Sequence, residues 1–384
     1  MRYTRRDVVG SMLAAGVVGC TGGRSGGSSG SDETGTPDSS TDTGPNDTGS
    51  VDTADAFVLP AEWAPHAGCI MQFPPPGHYC GPGTTDCTLI EKARTEWAAV
   101  ASAIAEHEPV VMYATPDDAK LARKQCSSAV TVVEALMDDG WSRDTGPLLV
   151  KNSSGVIRAR CFGFNGWGDS YSHEQDALIK WEMAEDLGIP TDDHPMILEG
   201  GAVIVDGAGT LITTEECLLH KTRNPHLSQK EQEQILKDML GVHTIIWLEN
   251  GWVPDDLTNG HVDGIVAYIA PGRVVLNSIA QSEDPTNHAI LESARERLEA
   301  AGIEVVRLPA TSWTAFHINF YTANGAIIVP IEGRASADDV PLGILADLHP
   351  DRVVVGVEAN TLGQAGGGIH CITQQVPQGV VWPY

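Results

Sequence analysis

Positive charge is scarce in this chain. Its 384 residues carry 24 Lys and Arg against 51 Asp and Glu, a formal net charge of -27. Such a surface repels a polyanion, so nucleic acid is excluded as a partner, whereas a small cation would be drawn in. The apolar run near the N-terminus, Val8–Gly19, is too short to cross a bilayer as a mature helix. Close-spaced metal frameworks of the HExxH or CxxC kind are missing. The Gly-rich stretch Gly363–Gly368 lacks the Lys-Ser/Thr ending of a phosphate loop and the strand–helix setting of a dinucleotide fingerprint. No cofactor and no catalytic metal are therefore expected. A metal competes only through the scattered ligands His261, Asp263, Glu199 and Cys371.

Hydrophobic residues make up 42% of the chain and charged residues 20%, enough for a sizeable core. Residues 1–19 read as an export signal, with Arg5-Arg6 ahead of the apolar run in a twin-arginine-like arrangement. Val17-Val18-Gly19-Cys20 matches a lipobox, which makes Cys20 the lipid-bearing N-terminus. Residues 21–56 are mostly Gly, Ser, Thr and Asp, and cannot bury enough surface to offset their ordering entropy. The expected organisation is an export signal (1–19), a lipid-anchored tether (20–56) and a catalytic domain (57–384). The setting is extracytoplasmic, at a membrane, and oxidising. Cys80 and Cys87 flank a Gly-Pro-Gly loop and are the best disulfide candidates; other connectivity cannot be deduced.

Past the tether a unit recurs: a hairpin, a helical stretch, then an apolar strand. Hairpins are expected at Pro147–Val150/Gly155–Arg158, Ala202–Val205/Thr210–Thr213, Ile265–Tyr268/Arg273–Leu276 and Asn319–Thr322/Ala326–Val329. Their tips carry the Gly, Asn and Asp that tight turns need. Helical periodicity covers Thr88–Glu106, Glu174–Leu187, Ser228–Leu240, Asn287–Ala301 and Ala337–Leu348. Apolar strands are expected at Val110–Tyr113, Thr244–Leu248, Glu304–Leu308 and Val353–Val357. A fifth unit would combine Ile369–Gln375 with Cys69–Phe73 and close a ring. The alternative is an ordinary mixed α/β sheet with hairpins recurring by chance.

The same repeat places polar residues where a core strand would not choose them. They are Asp144, Glu199, His261 with Asp263, Asn319 and Cys371. Cys371 follows Gly366-Gly367-Gly368, which let neighbours approach closely. Cys371 with His261 supplies a nucleophile and an acid/base. That pair alone fits proteolysis as readily as anything else. Three carboxylates beside a thiol shift the reading, because they suit a cation whose planar fork of N–H donors needs acids on both sides. A guanidinium has that shape. The bland alternatives are Asp144 as a turn residue, Glu199 as a surface acid and His261 as a core histidine. If His261 and Asp263 lie on an extended segment, they face the same side; His370 and Arg143 would then face away from Cys371 and Asp144.

Several stretches resemble the agmatine deiminase / bacterial-type peptidylarginine deiminase family of the guanidine-modifying superfamily. They include Leu59–His66, Trp141–Pro147, Phe164–Gly168, Leu198–Gly201, Arg223–Ser228, Thr258–Asp263, Asn319–Tyr321 and Gly368–Gln375. The resemblance implies a fivefold pseudosymmetric α/β propeller. It implies that Cys371 attacks the guanidinium carbon and that Asp144 and Asp263 grip the nitrogens. His261 would protonate departing ammonia and then activate water, and Glu199 would bind a substrate nitrogen or orient His261. Trp141, Trp167 and Asn319 would contact the distal part of the substrate. Gly168–Asp176 is shorter than and different from the matching loop of cytosolic agmatine enzymes, which opens arginine in peptides as the alternative substrate; the motif strings look closer to the agmatine branch, so agmatine or a similar free guanidino compound is expected. A lipid-anchored binding protein without turnover is the reading from another class.

Overall fold

Glycine- and asparagine-bearing turns cut the chain into short strands, and the expected hairpins form with small boundary shifts. The computed structural model describes residues 56–76, 88–255, 257–310 and 316–384. The export signal, Cys20, the tether through residue 55, and both Cys80 and Cys87 lie outside the described residues.

The described strands make five separate sheets. Four have three strands: Leu148–Lys151, Ile157–Gly163 and Thr191–Ile197; Val203–Val205, Thr210–Thr214 and Thr244–Leu248; Val266–Ala270, Arg273–Ser278 and Glu304–Pro309; and Tyr321–Ala323, Ala326–Ile331 and Val353–Glu358. In each, the first pair is an antiparallel hairpin and the third strand joins parallel after a crossover. The fifth has four strands and draws on both ends of the described chain. Gln374–Pro377 lies antiparallel to His66–Gln72, with Cys69 opposite Gln375, and Val110–Ala114 and Val130–Glu134 follow in parallel.

The α/β class holds, but the expected fivefold pseudosymmetric propeller is corrected. The ladders stay within small open sheets of three or four strands, and none closes or joins the next. Recurrence of hairpin and crossover is a local property of connectivity. It does not by itself impose rotational symmetry, and the four-stranded sheet already departs from the other four. Side-chain packing between sheets does the joining.

Helix Thr88–Ile104 illustrates the packing. Ala93, Trp97, Val100, Ala101 and Ile104 recur at helical spacing and are fully buried with Met71, Val110 and Met112. Each large side chain so buried contributes roughly 1.5–3 kcal/mol. Helix Gln229–Leu240 starts at a capping box, Ser228 with Glu231, and stops at Gly241 with φ 67°. Strand Thr191–Ile197 was not expected, since Asp192, Asp193 and Pro195 break its apolar character. It forms because Asp192 pairs with Arg158 and Arg160 of the neighbouring strand, and a register shift at Phe162/Gly163 absorbs the proline.

Four one-turn helical segments interrupt the path into the strands: Ser142–Thr145, Gly200–Ala202, Val262–Gly264 and His370–Ile372. They carry or adjoin the polar residues singled out from the sequence. Among the described residues no helix is long and apolar enough to cross a membrane.

Candidate active site

Cys371 sits in the His370–Ile372 turn and is a free thiol, partly exposed. Its Sγ donates toward Asn319 Oδ1 at 3.4 Å and Asp263 Oδ2 at 3.6 Å. Asn319 Oδ1 also accepts from the Cys371 backbone N–H at 3.3 Å, and its Nδ2 donates to the Asp263 carbonyl at 3.2 Å. Asn319 therefore stands at the sulfur. The preceding glycines make this approach possible. A Cβ on Gly368 would lie 2.3 Å from Asn319 Oδ1, and one on Gly367 would lie 2.4 Å from the Trp141 ring.

His261 and Asp263 converge, though for a reason other than strand alternation. His261 caps the turn Val262–Gly264 and Asp263 lies within it. Their meeting point is Gly201. A Cβ there would fall 2.7 Å from His261 Nδ1, 2.9 Å from Asp263 Oδ2 and 3.0 Å from Asp144 Oδ1. Only a hydrogen fits where these three groups face one another. His261 Nδ1 stands 3.9 Å from Asp144 Oδ1.

Asp144 lies in the turn Ser142–Thr145, and both its oxygens are engaged. Oδ1 accepts from the Gly201 N–H at 2.9 Å and Oδ2 from Trp167 Nε1 at 2.9 Å. Trp167 reaches it from a left-handed backbone, φ 54° and ψ 46°, between two glycines also at positive φ. Strain of this kind in a bulky residue marks a position held for a purpose. Glu199 lies fully buried, with Oε1 accepting from Arg223 Nε at 2.7 Å and Oε2 lacking a protein partner.

Two cavities meet at Cys371. One of ≈ 360 Å³ is lined by Asp144, Trp141, Trp167 and Tyr171. The other, ≈ 940 Å³ and open, is lined by His261, Asp263, Asn319 and Trp252. Glu199 lines neither.

The electrostatics follow from crowding. Burial raises the Cys371 thiol well above its ordinary range, and Asp263 and Asp144 push it the same way. Burial opposes charge on His261, yet Asp144, the Cys217 thiol and Asp263 together raise it well above the usual histidine value. Burial raises Asp144; His261 works against this, and Asp263 and Glu199 reinforce it. Burial also works to raise Asp263, but the hydrogen bond and charge of His370 hold its carboxyl below the ordinary value. The free site thus favours a neutral thiol beside a protonated imidazole. A bound cation would tilt the balance toward thiolate.

Three participants were not singled out from the sequence. Cys217 lies against His261, and with Glu199 they form one group of three donors within 4.8 Å of one another, close enough to share a cation. Arg223 pins Glu199; it stood only within the Arg223–Ser228 stretch. His370, expected to point away from Cys371, bonds two carboxylates: its Nδ1 is 2.8 Å from Asp263 Oδ2, and its Nε2 is 2.7 Å from Glu62 Oε1. Arg143 does face away from Asp144 and pairs with Glu62 at 3.3 Å. Chance pairing over such sequence distances leaves no local signal.

The sequence profile of the Porphyromonas-type peptidyl-arginine deiminase family matches residues 58–377. The agmatine deiminase of Medicago truncatula is 36% identical over 370 residues, covering 85% of this chain and 97% of that protein. The agmatine deiminase of Pseudomonas aeruginosa is 36% identical over 368 residues, covering 84% and 96%. The solved structure of the Enterococcus faecalis agmatine deiminase superposes with a TM-score of 0.77 at 30% identity, covering 85% of this chain and 97% of that one.

Proposed function

Since this chain belongs to the Porphyromonas-type peptidyl-arginine deiminase family, we propose that it is a hydrolase that converts a guanidino group to a ureido group and releases ammonia, with agmatine or a similar free guanidino compound as substrate. The observation that carries this reading is the meeting of one thiol, one imidazole and two buried carboxylates around Gly201 and Cys371. Relatives named agmatine deiminase support the substrate class.

The chemistry runs in two halves. Asp144 and Asp263 hold the guanidinium nitrogens, and the substrate's positive charge stabilises Cys371 as the thiolate, its proton passing to solvent. The thiolate attacks the guanidinium carbon, forming a C–S bond and a tetrahedral adduct. His261 gives its proton to one nitrogen; the C–N bond breaks and ammonia leaves a covalent thiouronium. His261, now neutral, takes a proton from water as the oxygen adds to the same carbon. The C–S bond breaks as the hydroxyl proton passes to the departing sulfur, so the ureido product leaves and the Cys371 thiol is restored beside protonated His261. Glu199, buried, pinned by Arg223 and with an oxygen within 4.8 Å of a His261 ring nitrogen, is placed to steady that ring. Trp141 and Trp167 wall the cavity for the remainder of the substrate.

A second reading is arginine within a peptide, in keeping with the family's own description as a peptidyl-arginine deiminase. An assay for ammonia and ureido product on agmatine, free arginine and an internal-arginine peptide separates the two. Release from agmatine that Cys371→Ser abolishes supports the first; binding without release would favour a receptor.

The N-terminal organisation belongs to the same proposal. Residues 1–19 direct export, Cys20 carries lipid, and 20–56 tether the catalytic domain 57–384 to a membrane. Cys20→Ala should move the protein from the membrane fraction to the soluble fraction; unchanged fractionation would contradict the anchor.

A further inference from the structure

We infer that His370 is a positioning residue for the deiminase reaction, a doubly protonated ring clamped between Glu62 and Asp263 that keeps Asp263 ionised and aimed at the guanidinium beside Cys371. The inference rests on the deiminase reading above.

The geometry is specific. Nε2 lies 2.7 Å from Glu62 Oε1 and Nδ1 lies 2.8 Å from Asp263 Oδ2, with the ring only 4% exposed. A neutral imidazole has one donor and one acceptor nitrogen. With a carboxylate at each nitrogen, the neutral ring would aim a lone pair at an anion. Only the imidazolium donates to both. The same Asp263 oxygen that receives Nδ1–H stands 3.6 Å from Cys371 Sγ, so the clamp acts on the carboxylate that faces the reacting thiol.

The backbone is held as firmly. The His370 N–H donates to the Asn319 carbonyl at 3.0 Å, and the His370 carbonyl accepts from Arg143 Nε at 3.3 Å. Arg143 Nη1 approaches Glu62 Oε1 at 3.3 Å. Along the contact chain Arg143, Glu62, His370 and Asp263 thus alternate in sign and compensate one another. The other charged groups bearing on the pair are His66 toward Glu62, and His261, Cys371 and Asp144 around Asp263. Asp144 has no such clamp: its nearest positive group is His261 Nδ1 at 3.9 Å, beyond hydrogen-bond distance.

The test uses the full chain, with ring-labelled histidine for NMR and an ammonia assay across pH. In the wild type the His370 signals should report both nitrogens protonated through neutral pH. Glu62→Gln keeps the shape and removes one anion, so the ring should titrate at lower pH and the alkaline limb of kcat/KM should move the same way. His370→Ala should lose on the order of 10²-fold in kcat/KM. His370→Asn, which keeps a donor toward Asp263, should recover about tenfold of that loss. A neutral His370 at neutral pH in the wild type would overturn the inference. So would a Glu62→Gln protein whose ring titration and alkaline limb stay unmoved. Absence of ammonia release from every guanidino substrate in the wild type would strike the functional reading instead, and the NMR titration would still decide the charge on His370.

Discussion

Asp144 and Asp263 are the same residue type, each 5% exposed, and their carboxyls lean in opposite directions. The difference lies in what stands behind them. Asp263 is backed by His370, whose far nitrogen has its own carboxylate in Glu62. Asp144 is hydrogen-bonded by an indole N–H and a backbone N–H, both neutral, and its nearest positive group, His261, stands back at 3.9 Å. The lesson is a division of labour. One acid is held toward its charged form by a hydrogen-bonded imidazole; the other leans toward its proton and gains more when a cation binds.

The largest effect should come from Asp263→Asn. It removes the pre-charged grip and leaves His370 clamped on one side only. Ammonia release should fall roughly 10³-fold or more. Stability should also drop at neutral pH. The folded carboxyl titrates below its unfolded value, so its contribution is present above the unfolded value and is lost as pH falls through the folded one. Asp144→Asn should cost activity too, on the order of 10²-fold, yet its effect on stability should have the other sign. A carboxyl raised in the folded state binds a proton more readily there, so its charged form weakens the fold as pH rises. Thermal melts at acidic and mildly alkaline pH should show Asp144→Asn gaining on the wild type as pH rises. Melting shifts of one sign for both variants would erase the comparison.

Gly201→Ala tests the convergence itself. A methyl group 2.7–3.0 Å from three site atoms must push them apart. A cost of about 1–3 kcal/mol in stability and a loss of roughly tenfold or more in kcat/KM are expected, read by melting and by ammonia release. Smaller still is Trp167→Phe, which keeps the ring and removes one N–H. A loss of about tenfold or less is expected. The acid limb of kcat/KM should move up, because Asp144 loses a donor that favours its ionised form.

Much of this was legible along the chain. Hairpin tips, capping residues and helical spacing are local, and Ser228–Leu240 or Val353–Val357 form within a residue or so of their expected bounds. The positions of Cys371, His261, Asp263, Asp144 and Glu199 could be singled out because polar residues stood at equivalent places before hairpins. What the chain concealed is long-range. Glu62 and His370 meet across 308 positions, and no spacing rule reaches that far. Beside the left-handed Trp167, Gly168 must be glycine because Thr222 and Arg223, far along the chain, would meet a Cβ there at 2.3–2.8 Å. The fivefold propeller failed as an expectation because recurring connectivity says nothing about whether separate sheets close upon one another.

The account turns on the sulfur of Cys371. Acid quenching during turnover of agmatine, followed by mass spectrometry of the peptide bearing Cys371, reads it directly. The predicted result is a substrate-minus-ammonia adduct on Cys371, lost together with ammonia release in Cys371→Ser. Sustained ammonia release by Cys371→Ser, with no adduct on the wild-type peptide, would contradict it.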